Sequence, residues 1–230
     1  MVKKKIISII VFPGSNCDRD LEVAINKSVS VKADLVWHQT SHIKKTDLIF
    51  LPGGFSYGDY LRAGIIASKS PAIKEVIRHA KKGVPIIGIC NGFQILTECN
   101  LLEGALLKNS SELFKCEKIN LKVVNTNKFL GSFVKDEIIS FPIAHSQGNY
   151  YVNKDDLKKI EDNEQIIFKY SSSDGSLDKK FNPNGSIKNI AGITNKHKSI
   201  LGLMPHPERA IEGSKKNDGL KFFKSIYRML

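Results

Sequence analysis

Short unbroken apolar runs alternate, over the first third of the chain, with stretches in which apolar positions recur every three or four residues. Lys5 to Phe12, Val31 to Trp37, Asp47 to Leu51 and Val84 to Ile89 read as strands, and the last of these carries no charge at all, as befits a strand buried on both faces. A helix capped by Asn16 or Asp18 is expected to run to about Ser28. A second opens with Ser70 as N-cap and Pro71 at the first helical position, carries Ile73, Val76, Ile77 and Ala80 on one face, and stops at Gly83. A third begins at Asn91. Strands alternating with amphipathic helices predict an α/β fold, an open and mainly parallel sheet with helices on both faces, in which functional groups gather beyond the carboxyl ends of the strands.

Beyond Leu106 the rhythm changes. Lys118 to Asn125, Glu137 to Ala144, Gln165 to Tyr170, Asn189 to Thr194 and Ser199 to Met204 read as strands, with one short helix, Lys154 to Glu161, among them. Antiparallel additions at the sheet edge fit this better than a further strand–helix–strand unit. Tyr170 to Ser186, rich in Ser, Asn, Gly and Asp, reads as a surface loop, and Leu220, Phe223, Ile226, Tyr227 and Leu230 as the inner face of a closing helix. There is no internal repeat and no linker-like stretch, so residues 1–230 are expected to form one domain.

With 41% apolar and 25% charged residues the composition is that of an ordinary globular protein. No apolar run approaches a membrane span, and Met1-Val2-Lys3-Lys4-Lys5 leads into a strand without a cleavage signal, so a cytoplasmic protein with no membrane partner is expected. The net charge of +12 raises the question of nucleic acid, but the lysines are scattered in short pairs and only five residues are Arg, the pattern of a solvated surface. The four cysteines, at 17, 90, 99 and 116, form no CxxC pair, which argues against a zinc site or a disulfide framework.

Cys90 stands at the join between the fourth strand and the helix from Asn91. A side chain on such a turn projects above the sheet, while the free N–H groups and positive dipole end of the helix favour its thiolate. Gly88 and Gly92 flank it, as a tight nucleophile elbow requires. Pro13-Gly14-Ser15-Asn16 and Pro52-Gly53-Gly54-Phe55 follow the first and third strands and should converge on the same edge. Near the other end of the chain, Pro205 and Pro207 bias Met204-Pro205-His206-Pro207-Glu208 toward an extended course, so His206 and Glu208 would share a face, one imidazole nitrogen held by the carboxylate and the other turned to sulfur. The N–H groups of Gly54 and Asn91 are candidates for an oxyanion hole, and Gln94, one helical turn after Cys90, for a substrate contact. Cys17 also follows a strand and a glycine turn and is a rival nucleophile, though a place in a partner-facing loop explains it as well. From these residues alone, a cysteine peptidase or γ-glutamyl hydrolase on the same fold, or a non-catalytic subunit, remains open beside an amide hydrolase.

Gly88-Ile89-Cys90-Asn91-Gly92-Phe93-Gln94 together with Pro205-His206-Pro207-Glu208 resembles the class I (triad) glutamine amidotransferases. Val11 to Asp20, the glycine-rich stretch Leu51 to Gly64, and Pro142-Ile143-Ala144-His145 narrow the resemblance to the glutaminase subunits of phosphoribosylformylglycinamidine synthases, of purine biosynthesis. The resemblance implies a flavodoxin-like sheet, Cys90, His206 and Glu208 as catalytic residues, Gly54 and Asn91 as oxyanion hole, and Gly53, Gln94, His145 and Ser146 around the glutamine. It implies hydrolysis of L-glutamine through a thioester and delivery of ammonia to a large synthase subunit, with a small bridging subunit in the same complex. Free ammonia in neutral water would mostly become unreactive ammonium, so a protected passage is expected. The chain lacks a GxxxxGK[ST] phosphate loop, so no cofactor is expected in it, and ATP and Mg²⁺ are expected in the partner synthase subunit. One departure stands out: His145-Ser146-Gln147-Gly148 occupies the place where the resemblance leads one to expect His-Gly-Glu-Gly.

Overall fold

A computed structural model describes residues 5–212 and 217–230. Its centre is a nine-stranded sheet in the order β2-β1-β3-β4-β11-β10-β9-β6-β7. Five strands lie parallel: β1 (Ile7–Val11), β2 (Asp34–Trp37), β3 (Leu48–Leu51), β4 (Ile86–Ile89) and β11 (Ile200–Leu203). Four more continue the sheet antiparallel: β10 (Ile190–Thr194), β9 (Ile166–Ser171), β6 (Lys115–Val123) and β7 (Ile138–His145). No helix among the described residues is long and apolar enough to cross a membrane.

The predicted alternation of strands and helices is present, with differences of detail that have physical reasons. β11 is not an antiparallel edge addition; it pairs parallel with β4, Ile200 opposite Ile86, and sits in mid-sheet, so the chain returns to the centre after building the antiparallel flank. Strand periodicity could not show this, because parallel and antiparallel buried strands share the same apolar pattern. The first helix, α1 (Asp18–Val29), has Cys17 at its N-cap position and no side-chain cap. The Asn16 amide is turned instead toward Gly54 and Cys17, and Asp18 and Asp20 in the first turn complement the helix dipole. Ser70 caps α2 (Pro71–Lys81) as expected, its hydroxyl accepting from the Ile73 N–H. Two three-residue strands, β5 (Ala105–Leu107) and β8 (Asn149–Tyr151), form a separate ribbon too short to leave a periodic signal. Within the expected surface loop, Asn184 and Ser186 are buried, because they hydrogen-bond inward. The short helix expected at 154–161 is α4 (Lys154–Asp162), and in the closing helix, α5 (Asp218–Met229), Phe222 joins Phe223 and Ile226 inside, edge-on against Phe141.

Both faces of the parallel half are covered. Leu48 and Phe50 point toward Ile25 and Val29 of α1 and Phe223, Ile226 and Tyr227 of α5. Successive strand residues alternate in direction, so Ile49 and Leu51 face the other side, where the helix α3 (Asn91–Glu98) lies. Leu51, Gly88 and Gly202 align across β3, β4 and β11 beneath that helix. Two of the three have no side chain, and the space is taken: a Cβ on Gly88 would stand 2.6 Å from the Gly92 backbone, and one on Gly202 2.2 Å from the Phe93 ring. Gly92 completes the contact from the helix, since its own Cβ would fall 2.0 Å from the Leu51 carbonyl oxygen. The helix is therefore seated unusually close to the sheet, and its first turn is fixed over the ends of β3, β4 and β11.

Replacing Gly202 by Ala should force Phe93 and Leu102 aside and destabilise the fold by about 1–3 kcal/mol. A urea unfolding curve with a lowered midpoint and unchanged slope is the expected result, and an unchanged midpoint would show that the seat is loose.

Candidate active site

Cys90 adopts φ 50°, ψ −105°, a conformation that L-residues avoid. It is held there from both sides. Its N–H donates to the Leu203 carbonyl at 2.7 Å, and its carbonyl accepts from Phe93 and Gln94 in the first turn of α3. The sheet thus fixes one end of the residue and the helix the other, and the side chain emerges at the mouth between them, buried, with Sγ 3.8 Å from the Ala144 carbonyl oxygen.

His206 reaches the same place from the end of β11. Its N–H donates to the Pro142 carbonyl at 2.8 Å, which ties it to β7. The chain does not continue extended; Pro207–Arg209 forms a single 3₁₀ turn, and this turn brings the Glu208 carboxylate back to the ring. The expected pairing is present by a different route, with Nδ1 and Oε1 2.6 Å apart and both side chains about 1% exposed. Among the described residues, the other nitrogen, Nε2, has no hydrogen-bond partner. Burial pushes the imidazole pKa down, but the Glu208 carboxylate and the neighbouring Cys90 and Cys17 sulfurs outweigh it and hold it well above its ordinary value. The surroundings thus favour the protonated ring, which stands between a carboxylate and the Cys90 sulfur.

The two glycine turns converge as the sequence suggests. Phe55 N–H donates to Gly14 O at 2.9 Å and Tyr57 N–H to Pro13 O at 2.7 Å, so the loop after β3 lies on the loop after β1. Gly54 has φ 125°, and a side chain there would collide with Asn16. Asn91 joins this loop to the helix: its Oδ1 accepts from the Ser56 N–H, and its Nδ2 donates to Gln94 Oε1 at 2.8 Å and faces Asp59 at 3.4 Å. Burial raises the Asp59 carboxyl to about 6, in spite of hydrogen bonds from Gly64 and Asn91. The backbone N–H of Asn91, first in its helix, has no intrahelical acceptor by position. Gly53 packs beneath the His206 ring, where a Cβ would lie 2.7 Å from Cε1.

The remaining expected contacts are engaged with protein. Gln94 Nε2 donates to the Gln147 carbonyl at 2.7 Å while its Oε1 accepts from Asn91, so this side chain fastens the 145–148 loop to α3. His145 is buried, with Nδ1 3.1 Å from Asn109 Oδ1 and Nε2 facing Asn184; burial, with the charge of His206 adding to it, pushes its pKa down to about 4 and keeps it neutral. It supports the loop from behind. Ser146 is half-buried at the loop's crest, its carbonyl accepting from Asn109 N–H. Asn109 and Asn184 were not legible as site residues, because they lie in aperiodic polar segments; Asn109 alone bonds to His145, Gly148 and Leu113. Cys17 is also drawn in, buried against Gly53 and the His206 ring. A cavity of about 740 Å³, lined by Lys169, Lys179 and Asn182 among others, shares no residue with this cluster.

Comparison with known proteins places this geometry. Residues 4–222 match the CobB/CobQ-like glutamine amidotransferase domain family. Phosphoribosylformylglycinamidine synthase subunit PurQ of Chlorobium luteolum is 47% identical over 228 residues, covering 97% of this chain and 98% of that one. The protein of the same name from Synechocystis sp. is 48% identical over 219 residues, covering 94% and 98%. Among solved structures, a chain of PurLQS from Thermotoga maritima superposes with a TM-score of 0.84 at 39% identity, covering 98% of this chain and 99% of that one. A second Thermotoga maritima glutamine amidotransferase, at 16% identity and a TM-score of 0.63 over 99% of this chain and 98% of its own, shares the fold. The chain belongs to the class I glutamine amidotransferases, in the branch formed by the PurQ subunits of phosphoribosylformylglycinamidine synthases.

Proposed function

We propose that this chain is the glutaminase subunit of a phosphoribosylformylglycinamidine synthase. It hydrolyses L-glutamine and passes the ammonia to a synthase subunit, which uses ATP and Mg²⁺ to convert formylglycinamide ribonucleotide to formylglycinamidine ribonucleotide. A small bridging subunit completes the complex. What carries this reading is the meeting of Cys90, on its strained elbow, with a His206 ring whose Nδ1 lies 2.6 Å from Glu208. The glutamine amidotransferase family match, the synthase subunit name carried by relatives 47–48% identical over nearly their whole length, and the likeness to a chain of PurLQS support the substrate and the partner.

In this mechanism the Cys90 thiolate, paired with the His206 imidazolium, attacks the side-chain carbonyl carbon of glutamine. The oxygen takes the negative charge and receives hydrogen bonds from the Gly54 and Asn91 N–H groups. His206 Nε2 gives its proton to the amide nitrogen, the C–N bond breaks, and ammonia leaves a γ-glutamyl thioester. Now neutral, Nε2 takes a proton from water, the hydroxide adds to the thioester, and collapse expels the thiolate and releases glutamate. Glu208 holds the ring in one orientation and balances its charge throughout. Gly53 leaves room for the ring, Ser146 contacts the substrate, and Gln94 and His145 shape its pocket by holding the 145–148 loop. None of these steps needs a cofactor in this chain.

Cys90→Ala should lower glutamine-dependent synthesis by the assembled complex at least about 10³-fold, while synthesis from ammonium salts persists. Persistence with glutamine would leave the chain a purely structural role. Glu208→Gln should lower kcat roughly 10³- to 10⁴-fold. It should also move the alkaline limb of the glutaminase profile to lower pH, because the carboxylate that raises the His206 pKa is gone. An unmoved alkaline limb would separate the two residues functionally. Glutamine hydrolysis is to be measured with and without the synthase subunit, ATP and formylglycinamide ribonucleotide; stimulation by these additions is expected, and indifference to all of them would contradict coupling.

A further inference from the structure

Cys17 takes no part in the steps above, yet it lies in the site. Its Sγ, one nitrogen of His206 and one carboxylate oxygen of Glu208 all fall within 4.8 Å of one another, and all three residues are buried. A Cβ built on Gly53 would be 2.7 Å from His206 Cε1, 3.3 Å from Nδ1 and 3.4 Å from Cys17 Sγ, so the thiol and the ring meet over the same glycine. The second carboxylate oxygen, Glu208 Oε2, is buried without a hydrogen-bond partner among the described residues. Behind Glu208 lies a cavity of about 240 Å³ lined by Asp20, Glu208, Arg209 and Glu212, among others, an approach to the carboxylate from the side of α1.

We propose that Cys17, His206 and Glu208 form an inhibitory site for a thiophilic divalent cation, Zn²⁺ being the best match. A thiolate, an imidazole nitrogen and a carboxylate are the donors zinc prefers, and three protein ligands leave a fourth tetrahedral position for water. Donors about 2.0–2.3 Å from a tetrahedral metal stand roughly 3.3–3.7 Å apart, so Glu208 must give up its 2.6 Å hydrogen bond to Nδ1 and the two must open, while Cys17 Sγ, within 4.8 Å of both residues, moves in. The Arg209 guanidinium, 3.2 Å from Sγ, must withdraw toward Asp20, which already holds its Nε at 3.2 Å. This competing cation weakens the site. With Nδ1 as the ligand, the Cys17 thiol and His206 Nδ1 each release a proton to solvent on binding. The ring then carries its remaining proton on Nε2, and a metal-bound neutral imidazole surrenders that proton far less readily than an imidazolium does. The amide nitrogen of the tetrahedral intermediate would stay unprotonated, its C–N bond would not break and turnover would stop, with Cys90 untouched.

The effect on turnover rests on the catalytic reading of His206; the site itself does not, and the experiment separates the two. The Cys90→Ser chain is titrated with Co²⁺, a spectroscopic substitute for zinc, and then with Zn²⁺. One equivalent should produce a thiolate-to-cobalt charge-transfer band that Zn²⁺ abolishes. In Cys17→Ser/Cys90→Ser, which retains Cys99 and Cys116, cobalt binding should weaken at least about tenfold and the band vanish. Cys17→Ala/Cys90→Ser serves as a second variant, with circular dichroism to establish folding. A band that survives loss of Cys17, or its absence from Cys90→Ser, overturns the site. In the assembled complex, micromolar Zn²⁺ should slow glutamine hydrolysis at least about tenfold with native Cys17, while Cys17→Ser keeps more than half its rate at the same concentration. Equal inhibition of both overturns the proposal, whereas a cobalt site at Cys17 with undisturbed turnover upholds the metal site and refutes the assigned role of His206.

Discussion

The close seat of α3 on the sheet is the constraint from which the rest follows. Gly88 and Gly202 withdraw their side chains from the row beneath the helix, and Gly92 lets the helix backbone meet the Leu51 carbonyl. A helix held that close leaves almost no chain between the end of β4 and its own first turn. Cys90 must make the connection alone, and it does so at positive φ, a conformation that costs of order 1–3 kcal/mol and persists because sheet and helix together over-determine it. The strain is the means by which a buried strand presents a thiol at its mouth.

A second consequence is electrostatic. Pairing β11 parallel with β4 brings the chain after Leu203 to the same edge as Cys90, and the Pro207–Arg209 turn folds Glu208 onto His206. Two charges buried this deeply are costly unless they satisfy one another, and removing one would strand the other. The 2.6 Å contact meets that requirement on the Nδ1 side. The Nε2 side is left for chemistry. Farther out, Asn91, Gln94, Asn109 and Gln147 connect the glycine-rich loop, α3 and the 145–148 loop by hydrogen bonds, so the elements that would surround a glutamine are coupled mechanically.

Much of this was legible in the residues because it is local. The strand-to-helix join at Cys90, the Ser70-Pro71 helix start and the His206-x-Glu208 pairing each depend on a few neighbouring side chains. Direction and depth were less legible. Whether Ser199 to Met204 ran parallel or antiparallel is decided by a strand more than a hundred residues earlier, and the burial of Asn184 by the tyrosine and histidine it meets through space. The extended course expected around His206 gave the right partner through the wrong geometry, since a 3₁₀ turn also returns a side chain to its neighbour two positions back. Cys17 could be seen as a thiol after a glycine turn, but its approach to the imidazole exists only after three loops have folded together.

Glutamine hydrolysis at this site turns on one covalent event, a bond between glutamine's side-chain carbonyl carbon and the sulfur of Cys90. Rapid acid quenching of the assembled complex during turnover, followed by peptide mass spectrometry, tests it directly. A γ-glutamyl adduct is expected on the peptide that contains Cys90 and on no other cysteine peptide. An adduct on the Cys17 peptide instead, or glutamine turnover in which the Cys90 peptide never gains mass, would contradict it.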